Sequence, residues 1–255
     1  MNCNNCLLDH GIPFFEASLK EENNFSFEGK NILINQNLSY DTKIYRIISF
    51  IDLIRILEGR LRLTKRGSFS DCHERGEYVA EEIKVSQKET LGRERIELVR
   101  KKKKRFETSM QLYASCWTLE KKEIFPMWRA YAIDKFSVRI QTTIGDLLSS
   151  IRLESSQKMF CSPMVYGEEK NRTKAFDILF YKTEEYKIEN EFRLYLSADS
   201  CSEIFYLPIN WEACIEDIMF SPFIEPDIAN YIASCLLLKH PSLQFKLSPS
   251  QIIEY

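Results

Sequence analysis

Two acidic residues separated by one position, Glu189 and Glu191, are the sharpest chemical feature of this 255-residue chain. Residues two apart in an extended segment point to the same face, so both carboxylates should project together. The apolar residues Phe192, Leu194 and Leu196 alternate on the opposite face, which would leave the acidic pair facing a cleft. Neighbouring carboxylates move each other's pKa apart, which suits acid–base catalysis or stabilisation of a positive charge. The alternative is a solvent-exposed strand edge with two ordinary acids.

Two earlier strand-like segments carry a basic residue and hydroxyl residues. Arg46 follows Tyr45 in an apolar run, where a guanidinium group suits bidentate binding of a phosphate or carboxylate. A structural salt bridge is the competing interpretation of Arg46. Ser115 and Thr118 place hydroxyl groups in the β-favouring run 113–118. The sequence therefore offers one anion-binding candidate and two hydroxyl residues upstream of the acidic pair.

Two aromatic residues, Trp128 and Tyr131, lie three positions apart in a helix-favouring segment. This spacing places them on one side of a helix. There they could stack on the planar ring of a ligand, or they could belong to the core. Both interpretations stay open at the level of sequence.

The spacing of potential metal ligands is weak. Cys3 and Cys6, followed by His10, could begin a zinc site, but the only other adjacent candidates are Cys72 and His73. The favoured interpretation is that Cys3 and Cys6 are thiols that bind no metal. The eight cysteines are expected to be mostly free thiols in a reducing compartment. We therefore predict no metal site.

The elements that must position these residues follow from the hydrophobic periodicity. A strand–helix–strand unit is predicted over residues 43–64, with strands interrupted by helices in the second half of the chain. This order indicates an α+β fold with mostly antiparallel pairing. The other predicted strands are 31–35, 112–118, 136–142, 158–166, 175–182, 191–197, 213–220 and 243–247, and the predicted helices are 50–58, 123–131, 143–151 and 225–238.

The domain organisation is predicted to be simple. Residues 1–42 are polar and rich in asparagine, and we interpret them as an N-terminal extension. Residues 43–255 are interpreted as one domain, with a charged helical insertion at about 77–110. No repeat or Pro/Gly-rich linker divides them.

Charge is unevenly distributed along the chain. The formal net charge is −2, yet six consecutive residues are basic: Arg100, Lys101, Lys102, Lys103, Lys104 and Arg105. Such a run attracts phosphate backbones or an acidic partner, and the alternative is a solvated helix face. Apolar runs are too short to cross a bilayer, and the first residues lack the pattern of a secretory signal. We expect a cytoplasmic protein without a membrane partner.

Several of these motifs, in this order, resemble a widespread bacterial family catalogued as a domain of unknown function. Its hallmarks include Met-Trp-x-x-Tyr and a late Glu-x-Glu-x-Arg-Leu. The likeness covers roughly residues 43–225. The segments that carry it are Tyr45-Arg46, residues 59–63, residues 68–74, residues 115–118, Met127-Trp128-x-x-Tyr131 and residues 189–194.

The same order of residues is similar to the Arg-Ser-Glu class of ADP-ribosyltransferases. This resemblance implies a split antiparallel β core with flanking helices and NAD⁺ as the substrate. It implies that Arg46 contacts NAD⁺, that Ser115 steadies the strand at the nicotinamide ribose and that Glu191 supports the oxocarbenium-like state. Glu189 would orient or deprotonate the acceptor. This sequence has Ser115-Cys116-Trp117 where that class usually has Ser-Thr-Ser.

The function predicted from the sequence is therefore NAD-dependent ADP-ribosyl transfer. Catalytic roles fall on Glu191, Glu189 and Ser115, and binding roles on the residues Tyr45, Arg46, Ser115, Trp128 and Tyr131. The resemblance further implies a toxin or anti-phage effector that modifies nucleic acid, RNA in particular, or protein, with an antitoxin or chaperone as partner. Two alternatives remain: an interaction protein without activity, and a metal-dependent nuclease using Glu189 and Glu191 with Asp177 or Asp71.

Overall fold

The computed structural model describes residues 24–28, 30–35, 38–70, 83, 84, 86, 93–167 and 179–252. Its strands are β1 (Asn24–Ser26), β2 (Ile32–Asn35), β3 (Lys43–Ile48), β4 (Arg60–Lys65), β5 (Tyr113–Thr118), β6 (Val138–Thr143), β7 (Lys158–Pro163), β8 (Val165–Gly167), β9 (Tyr181–Thr183), β10 (Glu191–Ser197), β11 (Ile204–Pro208), β12 (Asp217–Phe220) and β13 (Leu247–Ser248).

The helices lie between the strands along the chain. The α-helices are α1 (Phe50–Leu57), α2 (Arg93–Ser109), α3 (Phe125–Tyr131), α4 (Ile144–Ser150), α5 (Trp211–Cys214) and α6 (Pro226–Lys239). Short 3-10 turns occupy Arg66–Ser68, Glu184–Glu189 and Pro241–Leu243. The predicted α+β class is confirmed. None of the described helices is long and apolar enough to span a lipid bilayer.

The main sheet has the strand order β1-β2-β7-β10-β5-β3-β6-β12-β13. Most neighbours are antiparallel, whereas β2 pairs with β7 and β12 with β13 in parallel. The sheet forks at β5: Ala114 pairs with Thr64 of β4, while Thr118 pairs with Tyr45 of β3. Strand β11 extends the β4 branch. The fork leaves the middle of β5 without a strand partner on that side.

Local sequence explains the start of this fork. Ser49 caps α1, because its side chain accepts a hydrogen bond from the backbone N–H of Asp52. Gly59 then reverses the chain with a φ of +81°, a conformation that glycine adopts without strain. Helix α1 and strand β4 thus confirm the predicted strand–helix–strand unit.

Two apolar clusters lie on the two faces of the sheet. The larger one contains Phe192, Leu194 and Leu196, as the alternation in the sequence predicts. The smaller one contains Tyr195 and Phe160. Strand β10 is consequently buried along its whole length.

The structure corrects several boundaries. Residues 24–35, assigned to a separate extension, contribute β1 and β2 to the main sheet, where Ile32 and Ile34 are fully buried. The single predicted strand 158–166 is divided at Met164: β7 ends at Pro163, and β8 begins at Val165 and pairs with β9 in a second sheet. Of the predicted strand 213–220, only β12 is extended.

The expectation for the cysteines holds in part. Among the described cysteines, Cys116, Cys161, Cys214 and Cys235 are free, whereas Cys201 is disulfide bonded. Burial raises the pKa of the Cys161 thiol, which keeps that thiol protonated. The candidate zinc ligands Cys3, Cys6, His10, Cys72 and His73 lie outside the described residues.

Candidate active site

A cleft of about 880 Å³, including the space open to solvent at its mouth, lies where β3, β5 and β6 meet helix α3. Much of its wall is aromatic or apolar, which suits a ligand with planar rings. The aromatic and sulphur-containing residues of the wall are Tyr45, Phe69, Cys116, Trp117, Met127, Trp128 and Tyr131. The carboxylates of Glu189 and Glu191 border the same cleft.

Three adjacent strands place one row of side chains across the cleft. Glu191 of β10 lies opposite Thr118 of β5, and Thr118 lies opposite Tyr45 of β3. Directly paired residues point to the same face of a sheet. Tyr45, Thr118 and Glu191 therefore project together, away from the larger apolar cluster.

The acidic pair meets at a lysine that sequence reasoning missed. Lys182 Nζ lies 2.5 Å from Oε2 of Glu189 and 2.9 Å from Oε2 of Glu191. The lysine comes from β9, and its side chain is almost completely buried. No local spacing in the sequence identifies it, because the contact joins two separate sheets.

The backbone brings the two glutamates together differently from the prediction. Glu189 ends a 3-10 turn rather than lying in a strand, and Asn190 adopts the left-handed conformation with a φ of 39°. Asparagine tolerates this conformation better than most residues. The hydroxyl of Thr118 donates to the carbonyl oxygen of Glu189 at 2.6 Å and fixes the turn against β5. The predicted common direction of the carboxylates is therefore achieved by a turn.

Glu191 is the more deeply buried member of the pair. Its Oε1 accepts from Arg193 Nε at 2.5 Å, and its Oε2 accepts from Arg193 Nη2 at 2.8 Å. Burial alone would raise the pKa of Glu191, but its ion pairs and hydrogen bonds with Arg193 and Lys182 outweigh burial and lower the pKa to about 2. The carboxylate is thus ionised at neutral pH.

This depressed pKa predicts a specific acid sensitivity. The ordinary pKa is 4.5, so the stabilising contribution of Glu191 is fully present above about pH 4.5 and is lost as the pH falls toward 2. The size is about 3 kcal/mol, at roughly 1.4 kcal/mol per pKa unit. Urea unfolding of the wild type and of Glu191→Gln should therefore give stability differences that shrink between pH 6 and pH 3. A difference that does not change with pH would contradict the assignment.

Arg46 and Ser115 form a separate hydrogen-bonded pair. Arg46 Nη1 donates to Ser115 Oγ at 2.8 Å and to the carbonyl oxygen of Arg62 at 3.3 Å, so it bridges the fork between β3 and β4. Trp117 Nε1 also donates to Ser115 Oγ, at 3.0 Å. Desolvation lowers the pKa of the Arg46 guanidinium. These bonds occupy the groups that the sequence analysis assigned to the ligand.

The predicted trio is therefore only partly assembled. Arg46 and Glu191 both border the cleft, but Ser115 does not. Ser115 and Arg46 lie on the face of the sheet that carries the larger apolar cluster, whereas Glu191 lies on the opposite face. Thr118 is the hydroxyl residue that faces Glu191. The alternation along β3 and β5 shows which of their residues share a face with Glu191, but only once the register between the strands is known.

The two aromatic candidates of α3 have different environments. Trp128 is fully buried, and its Nε1 donates to Glu123 Oε1 at 2.8 Å. Tyr131 is 42% exposed, and its hydroxyl donates to Glu189 Oε1 at 2.6 Å. Burial and the nearby carboxylate of Glu189 raise the pKa of Tyr131, so the hydroxyl keeps its proton. Trp128 therefore forms the inner wall, while Tyr131 lies at the acidic pair.

The arrangement of the acidic pair bears on the nuclease alternative. Lys182 Nζ occupies the position between the two carboxylates where a bridging metal ion would have to bind. Among the described residues, no group of three or more His, Cys, Asp or Glu side chains is placed to hold a metal ion. Asp71 and Asp177, the further ligands predicted for that alternative, lie outside the described residues.

Comparisons of the chain with protein-family models, with curated proteins and with solved structures gave no match. The functional argument therefore depends on the motifs of the sequence and on the geometry of the cleft.

Proposed function

We propose that the chain binds NAD⁺ in this cleft, cleaves the bond between nicotinamide and ribose, and transfers ADP-ribose to an acceptor. The observation that carries the proposal is the carboxylate pair Glu189 and Glu191 at the edge of an aromatic cleft. Aromatic walls suit the nicotinamide and adenine rings, and ionised carboxylates suit the reaction at the sugar.

The chemistry explains why a carboxylate pair is useful. When the bond between C1′ and the nicotinamide nitrogen breaks, its electron pair leaves with the nicotinamide, and positive charge develops on the ribose ring. A carboxylate that is already in place stabilises this charge without further reorganisation. The acceptor then bonds to C1′ and gives up its proton, which Glu189 can take because Glu191 still balances the charge of Lys182.

The arrangement of the sheet supports an ADP-ribosyltransferase-like core. The three strands predicted to carry the essential residues, β3, β5 and β10, are neighbours in the sheet. The fork at β5 opens the sheet beside the cleft. In this proposal Tyr45 takes the position at the substrate that the sequence analysis gave to Arg46, and Thr118 holds the turn that carries Glu189. Arg46 and Ser115 hold the two branches of the fork together.

The deciding experiment measures nicotinamide release. Purified protein incubated with NAD⁺ should liberate nicotinamide, detected chromatographically, and the rate should be insensitive to a metal chelator. Chelator-sensitive cleavage of nucleic acid, without nicotinamide release, would favour the nuclease alternative. The absence of release, with and without cell lysate as a source of acceptor, would contradict the proposed function and favour an interaction protein.

Helix α2 suggests nucleic acid, RNA in particular, as the acceptor. It carries eight basic and three acidic residues, and Arg100, Lys101 and Lys103 are exposed. The ion pairs of Lys101 with Glu97 and of Lys103 with Glu107 are solvent-exposed and therefore weak. A polyanion can compete with such pairs.

The C-terminal end of α2 lies close to the cleft. Its last turn packs on the segment that follows β4, where the guanidinium group of Arg66 donates to Ser109 Oγ and the N–H of Gly67 donates to the carbonyl oxygen of Met110 at 3.2 Å. Phe69, two residues after Gly67, lines the cleft. A nucleic acid bound along α2 would thus end near the acidic pair.

Neutralising the exposed basic residues tests this acceptor. In the triple variant Arg100→Gln, Lys101→Gln and Lys103→Gln, modification of RNA should weaken, and the slope of log affinity against log salt should fall by about 2. Nicotinamide release without acceptor should stay unchanged. A matched control replaces exposed Lys135, Arg152 and Lys239 in the same way. Equal salt dependence in the two triple variants would contradict a nucleic-acid role for α2.

An enzyme of this type would need control in its own cell. Consumption of NAD⁺ or modification of nucleic acid is damaging, so the proposal includes a role as a toxin or defence effector with an inhibitory partner. Co-purification of the chain with an inhibitor that abolishes nicotinamide release would support this part of the proposal.

A further inference from the structure

A buried hydroxyl group without a partner lies in the cleft. Tyr45 is 3% exposed, and its Oη has no hydrogen-bond partner. Leaving such a group unsatisfied costs roughly 1 to 3 kcal/mol. A ligand that accepts from this hydroxyl would recover that free energy, so the orphan group points to a polar ligand atom beside it.

Arg139 of β6 lies directly over the ring of Tyr45. Its Cζ is 4.0 Å from the ring centroid, and its side chain borders the same cleft. Nη2 donates to the carbonyl oxygens of Glu120 and Lys121, each at 2.9 Å. Arg139 forms no ion pair with any residue in the described part of the chain. A largely buried guanidinium that is balanced only by carbonyl groups and a ring is unusual, because a buried charge normally has a counter-charge.

The remaining donors of Arg139 are placed for a ligand. Nε and Nη1 form no hydrogen bond with the described residues and are not fully buried, and the Arg139 side chain borders the cleft. The acidic groups whose charges act on Arg139 each accept a hydrogen bond elsewhere: Glu123 from Trp128 Nε1, Asp217 from Ser248 Oγ, and Glu120 from the N–H of Lys122. Desolvation lowers the pKa of Arg139, and the nearby acidic groups only partly offset this effect. An anionic ligand would add the missing counter-charge.

We propose that Arg139 and the hydroxyl of Tyr45 form a binding site for a phosphate group of the ligand. This inference deepens the proposed function, since it places the diphosphate of NAD⁺ on Arg139 rather than on Arg46. The guanidinium of Arg139 donates to phosphate oxygens, and the Tyr45 hydroxyl adds one further hydrogen bond. The aromatic wall and the acidic pair then receive the nicotinamide riboside half of the ligand.

Titration calorimetry with three probes tests the site without requiring turnover. ADP-ribose and inorganic pyrophosphate carry the diphosphate, whereas nicotinamide riboside lacks phosphate. Arg139→Met should lower the affinity for ADP-ribose and pyrophosphate about 10- to 100-fold, and Tyr45→Phe should lower it about 5-fold. Arg139→Lys, which keeps the charge but loses the fork of donors, should lie between the wild type and Arg139→Met. Binding of nicotinamide riboside should stay within threefold in all three variants.

The matched control is Arg129→Met. Arg129 lies on α3, stacks on Phe125 and Phe223, and does not line the cleft. Its removal should leave binding of ADP-ribose unchanged. If Arg139→Met does not fold, Arg139→Lys and Tyr45→Phe decide the question.

The results of these titrations distinguish a failure of the phosphate site from a failure of the proposed function. Wild-type protein that binds neither phosphate probe, or variants that bind ADP-ribose within threefold of wild type, would overturn the phosphate site even if nicotinamide is released from NAD⁺. Phosphate binding that depends on Arg139, in a protein that releases no nicotinamide, would establish the site and refute the proposed reaction.

Discussion

Replacing Glu189 with glutamine is expected to lower the rate of ADP-ribose transfer to RNA about 100- to 1,000-fold, because Glu189 takes the proton of the acceptor and a positioned general base contributes roughly two to four decades of rate. Glu189 is the better test of the pair than Glu191, since 13% of its side chain is exposed, compared with 4% for Glu191. Glutamine keeps an oxygen that can accept from Tyr131 or Lys182. The stability of the variant should therefore change by less than about 1 kcal/mol.

A control for this variant lies on the same 3-10 turn. Glu184 is exposed and pairs only weakly with Lys187, so Glu184→Gln should leave the rate unchanged. The measurement is the initial rate of ADP-ribose transfer to RNA at saturating NAD⁺, with a thermal melt of each variant. If Glu189→Gln keeps a rate within tenfold of wild type, Glu189 takes no part in the reaction.

Replacing Arg193 with methionine is expected to destabilise the fold by about 3 to 5 kcal/mol, because it leaves a buried carboxylate without its principal counter-charge. Arg193 is 2% exposed and donates to both carboxylate oxygens of Glu191 and to Tyr195 Oη at 3.1 Å. After the substitution only Lys182 balances Glu191, and Lys182 is shared with Glu189.

Urea unfolding at pH 7 measures this loss, with Arg129→Met as the exposed control. The double variant Arg193→Met with Glu191→Leu should recover part of the stability, because it removes the uncompensated charge together with its partner. A loss below 1 kcal/mol in Arg193→Met would show that Lys182 alone satisfies Glu191. It would also weaken the explanation given for the low pKa of Glu191.

Sequence patterns predicted the local elements that hold the site. The apolar positions of residues 50–58 and Gly59 predicted helix α1 and its end, and the alternation in residues 191–197 predicted β10 and the face of Glu191. These predictions succeeded because helix and strand periodicities are properties of adjacent residues. The fork at β5 and the strand β11 had no such local signature.

The same alternation gave the face of Glu191 but not which residues of β3 lie on that face. Tyr45 and Arg46 are adjacent in the sequence, so their side chains point to opposite faces of β3. Only the pairing of β3 with β5 and β6 shows which of the two lies on the same face as the acidic pair. The motif order suggested Arg46, whereas the structure turns its guanidinium to Ser115. A shift of one residue along a strand is enough to exchange the two roles.

Local sequence patterns were enough to predict the α+β class, most of the central strands and helices, a basic helix and the common direction of the acidic pair. The alternation along β10 also puts Arg193 on the same face as Glu191, two residues away. Two other contacts, Lys182 with the two glutamates and Arg139 with the ring of Tyr45, follow only from how the chain folds. Each of these contacts joins residues through strand order or through the packing of two sheets. Such contacts depend on which segments become neighbours in the folded chain, and the periodicity within a single segment does not predict this.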